Sequence, residues 1–229
     1  MPTTRESGHP TDGAVRVRRL ADRGRYDAET IDAILDEALV CHVAFVTPDG
    51  RPGVIPTLHA RDGDRLLLHG STGSRLAQWA RTGPVPVSVA VTLLDGLVLA
   101  RSGMHHSMNY RSVVIVGDAA PITGGDAKRA ALDRIVDHVS PGRAAHVRPA
   151  TRREIAATEV LSVDLAHASA KTRSGGVNDE PEDLDLPIWA GVLPVRMVAD
   201  APEPDGALPV DLEVPQHVRA HPLRTPAGG

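Results

Sequence analysis

Residues 40–69 read VCHVAFVTPDGRPGVIPTLHARDGDRLLLH, and the two turns punctuating this stretch decide the fold class. Val40 to Thr47 is β-branched and apolar and ends at Pro48-Asp49-Gly50, where proline presets φ and glycine accepts a positive one. Gly53 to Ala60 reads as a second strand, Asp62-Gly63 as another turn, and Arg65 to His69 as a third strand. Strands joined this tightly run antiparallel, because parallel neighbours need a crossover of a dozen residues or more. The first half of the chain therefore reads as a β-meander.

Working outward, Asp27 can cap a helix in which Ile31, Ile34, Leu35 and Ala38 form one apolar stripe. Downstream, Ser71 to Arg81 reads as a helix capped by Ser71 or Thr72, with Leu76, Trp79 and Ala80 on one side and Gly83-Pro84 as its stop. Val85 to Leu93 reads as a strand, Asp95-Gly96 as a turn into Leu97 to Ser102, and Met108 to Ile122 as a long strand. Gly124-Gly125-Asp126 opens a helix with Ala130, Leu132, Ile135, Val136 and Val139 on its buried side. Thr151 and Glu154 have capping-box spacing, and Thr158 to Ala168 alternates as a final strand. Hairpin-linked strands with separate helices predict an α+β fold, mainly antiparallel β, with a barrel or sheet and peripheral helices.

The length of 229 residues fits one domain with appendages. The spacing predicts a flexible arm over residues 1–24, a domain over 25–198 and a Pro-rich tail over 199–229. In that tail Pro202, Pro204, Pro209, Pro215, Pro222 and Pro226 are expected to interrupt every regular element. A net charge of −4 argues against a nucleic-acid or anionic-membrane surface. Cys41 is the only cysteine, which excludes a disulfide framework and a multi-thiolate metal site. No apolar run is long enough to span a membrane and the first ten residues carry no apolar signal core, so a cytoplasmic location is the expectation.

Three polar stretches could carry chemistry. In His69-Gly70-Ser71-Thr72-Gly73-Ser74-Arg75, glycines, hydroxyls and an arginine at a helix start suit a phosphate; an ordinary N-cap with a solvated arginine is the competing reading. His105-His106-Ser107-Met108-Asn109-Tyr110-Arg111-Ser112 packs polar groups between two apolar strands, as a ligand or an interface would require. Adjacent histidines on an extended chain point to opposite faces, so no metal is expected there. Lys171-Thr172-Arg173 closes the last strand with two cations, and the acidic run from Asp179 to Asp185 reads as a solvated loop.

The stretch Asp95 to Ser102, running on into His105 to Val113, resembles the signature of the pyridoxamine 5′-phosphate oxidase-like flavin-binding proteins, in the branch that includes the nitroimidazole-resistance proteins. Ile55-Pro56-Thr57, Arg61 to Asp64, His69 to Arg75, Pro141-Gly142-Arg143, Lys171 with Arg173, and Trp189 to Val192 follow in similar order and spacing, over roughly Arg25 to Arg196. The resemblance implies an FMN-binding split β-barrel forming a homodimer, with FMN in the subunit interface. It places Ile55, Pro56 and Thr57 along the isoalloxazine and Gly70, Ser71, Ser74 and Arg75 around the phosphate, with His69 also among the cofactor-binding residues. Asn109, Tyr110, Arg111 and Ser112 would line the site, and Lys171, Arg173 and Trp189 would close it from the partner subunit.

The implied function is that of an FMN-dependent oxidoreductase acting on a small-molecule substrate, with NAD(P)H as a candidate electron donor. His106, Tyr110 and Arg111 are the candidate proton donors. Two alternatives stay open. One is a non-catalytic flavin carrier, sensor or store; the other is a split barrel that binds haem, at His105 or His106, or a deazaflavin.

Overall fold

Residues 13, 15–208 and 212–223 are described by the computed structural model. Asp27 does cap the first helix: its side chain accepts from Thr30 N, and Ile31, Ile34, Leu35 and Ala38 are buried along one side. In chain order the elements are β1 (Gly24–Arg25), α1 (Ala28–Glu37), β2 (Val40–Val46), β3 (Pro52–Asp62), β4 (Arg65–Ser71), α2 (Arg75–Ala80) and β5 (Val85–Leu99). They continue with β6 (Ser107–Pro121), α3 (Gly125–Val139), α4 (Arg152–Ala157), β7 (Thr158–Asp164), β8 (Ala168–Arg173), β9 (Gly191–Pro194) and α5 (Gln216–Arg219). The meander stands as read, with Gly50 and Gly63 in the turns at φ +81° and +63°.

All the pairings are antiparallel, and they close a ring: β6–β7–β4–β3–β2–β5 and back to β6. The split lies in β6, whose Tyr110–Ile115 pairs with β8 while Ala120–Pro121 pairs with β7. Inward side chains from Cys41, Val43, Leu66, Leu68, Val89, Val91, Val113, Ile115 and Val163 fill the barrel, and α1 caps it with Ile31, Ile34 and Leu35. Trp79 meets Phe45 edge-on, with 5.6 Å between ring centroids. A smaller cluster, with Ala60, Leu67 and Val160 on the sheet and Ala131 and Ile135 on α3, binds that helix to the outside of the barrel.

Several expectations need correction. Asp95-Gly96 is not a turn: β5 runs straight through it with a bulge, and the register shifts between Leu94 and Gly96. β9 pairs so closely there that a Cβ at Gly96 would lie 3.1 Å from Val192 Cγ1 and 3.2 Å from Leu193 O, tighter than an ordinary contact. The helix after β4 starts at Arg75 and is capped by Ser74, not by Ser71 or Thr72. The strand expected over Thr158 to Ala168 ends at Asp164, and Ala168 begins a separate strand, β8, which pairs with β6 and β1 and not with β7. On α3 the buried alanine is Ala131, and Ala130 is exposed.

The two ends also differ from expectation where they are described. Val15 is buried, and Lys171 Nζ donates to Arg19 O at 3.2 Å, so the segment before β1 lies on the barrel. The Pro-rich tail does contain a regular element, α5, and Ala199 N bonds to Leu223 O while a ring nitrogen of His221 bonds to Val139 O. Residues 1–12, 14, 209–211 and 224–229 of the expected arm and tail lie outside the described residues.

The Thr151–Glu154 capping box forms in full, each side chain bonding the other's backbone N–H. Arg148 and that N–H hold the Glu154 carboxyl down at about 2. Thr151→Ala is expected to cost about 1 kcal/mol, read as a lower urea midpoint at unchanged slope.

Candidate functional site

The end of β4 and the start of α2 form one wall of a cleft of about 80 Å³. Ile55 and Thr57 of β3, His69 and Gly70 of β4, and Ser74 line it, so these five predicted residues do come together. Sequence reading missed Glu159 and the apolar floor, Val43, Leu76 and Leu161. Pro56 lies between Ile55 and Thr57 on the opposite face of β3, where it pairs with His42.

The polar groups of this loop are arranged for an anion. Ser71 Oγ accepts from Gly73 N at 3.1 Å and Ser74 Oγ accepts from Ala77 N at 3.3 Å. Each hydroxyl hydrogen is thereby left to be donated outward. Arg75 is exposed and has no partner among the described residues. The Nδ1 atom of His69 is buried in the cleft wall without a partner, and burial holds this imidazole below its ordinary pKa. With only six residues, α2 contributes a small dipole. The case for an anion rests on the hydroxyls and the guanidinium.

The second group of predicted residues lies on β6 and β8. Tyr110, Arg111 and Ser112 sit opposite Arg173, Thr172 and Lys171. Arg173 donates to Asn109 Oδ1 and to Gly176 O, and Ser112 Oγ donates to Lys171 O. Arg111 is held by two carboxylates, Glu37 and Asp95, whose hydrogen bonds raise its pKa and leave it no proton to give. Of the other two candidates, His106 is exposed with Nδ1 2.9 Å from Ser102 O, and Tyr110 is half-buried. Trp189 is exposed beside Gly191. In the closed ring β3 and β6 are separated by two strands on either side, so within one chain the two groups lie across the barrel from one another.

The acidic run is not simply solvated. The Asp179 side chain is fully covered and bonds to Arg101 through both its N–H and its guanidinium, while His105 Nδ1 lies 2.5 Å from Asn178 O. These bonds fasten the loop between β5 and β6 to the segment after β8. Lone charged residues flanking apolar strands, Arg101 and Glu159, were the signal available for them. Among the described residues, no group of three or more His, Cys, Asp or Glu side chains is placed to hold a metal. No helix among them is long and apolar enough to cross a membrane.

The model of the pyridoxamine 5′-phosphate oxidase family matches residues 27–172, β2 to β8 with α1. The chain belongs to this family. Its split barrel is also that of the flavocytochrome Anf3 from Azotobacter vinelandii, which is 38% identical with a TM-score of 0.86 over 93% of this chain and 98% of that one. A second structure, the FAD- and haem-binding protein of Mycobacterium smegmatis, is 36% identical with a TM-score of 0.82, over 87% and 97% of the two chains. A protein of Bacteroides thetaiotaomicron linked to 5-nitroimidazole resistance shares the fold at 22% identity and a TM-score of 0.55, over 65% and 85%. No protein in the curated collection matches the chain. Beyond residue 172 the similarity to the first two structures extends over the C-terminal segments, which the family model does not include.

Proposed function

We propose that this chain is a flavin-dependent oxidoreductase of the cytoplasm that acts on a small organic molecule as a homodimer. The observation that carries the reading is the His69–Arg75 loop, with two outward hydroxyls and an unpartnered guanidinium beside a cleft floored by Val43 and Leu161. A phosphate with an apolar ring system attached matches that donor set, and FMN is the smallest flavin that satisfies it. Bound there, a flavin supplies hydride and electron transfer. Ile55 and Thr57 would orient the ring, Ser71, Ser74 and Arg75 would hold the phosphate, and Tyr110 or His106 of a second copy would face the substrate.

The second copy is supported by the outward face of β2, β3, β5 and β6. Val40, Val46, Val54, Leu94 and Val114 are all exposed on it, an apolar patch of the kind that marks an interface. The species in solution is expected to weigh twice 24.2 kDa. Light scattering that finds the single-chain mass at micromolar concentration would count against the dimer.

A haem beside the flavin is the second reading, favoured because two of the similar structures, at 38% and 36% identity, are described as a flavocytochrome and as an FAD- and haem-binding protein. The absorption spectrum of the purified chain separates the readings. A flavin band alone supports the first and an added Soret band the second, while a colourless protein that takes up neither overturns both. Bleaching of the flavin band by NADH or NADPH, and its return with a nitro or quinone acceptor, would distinguish turnover from storage.

A further inference from the structure

Where the segment before β1 meets β6 and β8, it leaves a cleft of about 270 Å³. Arg16, Arg18, Arg19 and Lys171 line it, and no carboxylate does. None of the four has an ion-pair partner among the described residues. Lys171 Nζ donates to Arg19 O, which leaves the ammonium two further protons to give. Four cations around one concavity repel one another, and in a chain of net charge −4 nothing in this lining neutralises them. Alternation along β8 sends Ala168 and Ala170 into the barrel, so Ser169 and Lys171 point outward beneath the segment. Ser169 is only 5% exposed, and its hydroxyl has no hydrogen-bond partner among the described residues. A covered hydroxyl without a partner is costly, and an acceptor in the cleft that Ser169 lines would satisfy it.

Guanidinium forks, an ammonium and a free hydroxyl around a small hollow form the donor set for a tetrahedral oxyanion. Sites that enclose a drug-sized ligand run from roughly 300 to 1,000 Å³, so the occupant here is compact. Val17 and Val114 add apolar surface for a short carbon body. We propose that this cleft binds a phosphate group, as the free ion or as the monoester of a small organic molecule. The site is separate from the flavin cleft, with which it shares no lining residue. The buried Val15, the bond from Val17 N to the Tyr26 hydroxyl and the bond from Lys171 to Arg19 O already tie the segment down. A phosphate held between the three arginines and Lys171 fastens residues 15–19 to β8 a further time.

The test is calorimetric titration of the full-length protein with inorganic phosphate and with glycerol 3-phosphate, at matched ionic strength. The parent is compared with Arg16→Ala/Arg18→Ala/Arg19→Ala, with Ser169→Ala and with Arg75→Ala. The three arginines are exposed, and a melting curve like the parent's confirms the fold of each variant. The expected result is a phosphate site that the triple variant weakens at least tenfold and Ser169→Ala weakens severalfold, while Arg75→Ala leaves it unchanged. Phosphate should also slow tryptic cleavage after Arg16, Arg18 and Arg19 more than chloride does, in the parent and not in Ser169→Ala. Tighter binding of glycerol 3-phosphate than of phosphate assigns the cleft to a monoester, and equal or weaker binding assigns it to the free ion. Absence of binding, or an affinity equal in the parent and the triple variant, overturns the proposal. A loss confined to Arg75→Ala also overturns it, because the phosphate then sits on the His69–Arg75 loop and the flavin reading stands without this site.

Discussion

Arg75→Ala is expected to weaken FMN binding by ten- to a hundredfold while leaving riboflavin binding unchanged. The range follows from a charge-assisted hydrogen bond to phosphate, worth about 1.5–3 kcal/mol, at roughly 1.4 kcal/mol per decade. Arg75 is exposed and unpartnered, so its removal leaves no buried group unsatisfied and its loss should not be felt in stability. Riboflavin carries the same ring without the phosphate, and it separates loss of an anion contact from distortion of the cleft. If both ligands weaken together, the guanidinium acts through the loop's shape. If neither weakens, the phosphate lies elsewhere and the His69–Arg75 loop is an ordinary helix start. Arg75→Lys should recover part of the affinity, since an ammonium keeps the charge and loses the two-pronged geometry. Raising salt should erode the parent's advantage over the variant.

Much of this site was legible because short-range chemistry fixed it. The turns at Gly50 and Gly63, the cap at Asp27 and the stripe of Ile31, Ile34 and Leu35 depend on neighbours within one turn or one hairpin, and the structure keeps them all. The convergence of Ile55, Thr57, His69, Gly70 and Ser74 follows from the meander, since β3 and β4 are adjacent once the turn at Gly63 is granted. What failed depended on partners distant in sequence. Asp95-Gly96 has turn composition, yet β9 arrives from residues 191–194 to pair with it and keeps the strand extended. Arg111 reads as a reactive cation until Glu37, 74 positions away, takes it up. Glu159 stands alone in an apolar strand, and only the fold brings Lys128 and Arg81 to it.

Acidification from pH 7 to pH 4 is expected to remove roughly 3 kcal/mol of folding stability through His59 alone. This imidazole is fully buried on β3, and burial pushes its pKa down from 6.5 to about 4. Its Nε2 lies 3.1 Å from Leu35 O, and because a carbonyl only accepts, that nitrogen carries the hydrogen. A second proton would have to enter at Nδ1, which is buried without an acceptor and lies on a ring 5.2 Å from that of His138. The unfolded chain takes up this proton near pH 6.5 and the folded chain only near pH 4. Between those values the unfolded state binds more protons, so stability present above pH 6.5 drains away as the pH falls. Glu159 adds a more acidic phase. Burial raises its pKa, but the bonds from Lys128 and Arg81 outweigh that and hold it below the ordinary carboxylate value. Its contribution is full above the unfolded pKa, drains as the pH falls from that value towards the lower folded one, and is gone below it. Urea unfolding at half-unit steps of pH, with flavin content held constant because bound ligand itself stabilises, measures the profile. His59→Leu should lower stability at pH 7, since the bond to Leu35 O is gone, yet flatten the fall between pH 6.5 and 4. A slope identical in parent and variant would show that His59 is not the group that titrates, and would move the acid sensitivity of this barrel to its carboxylates.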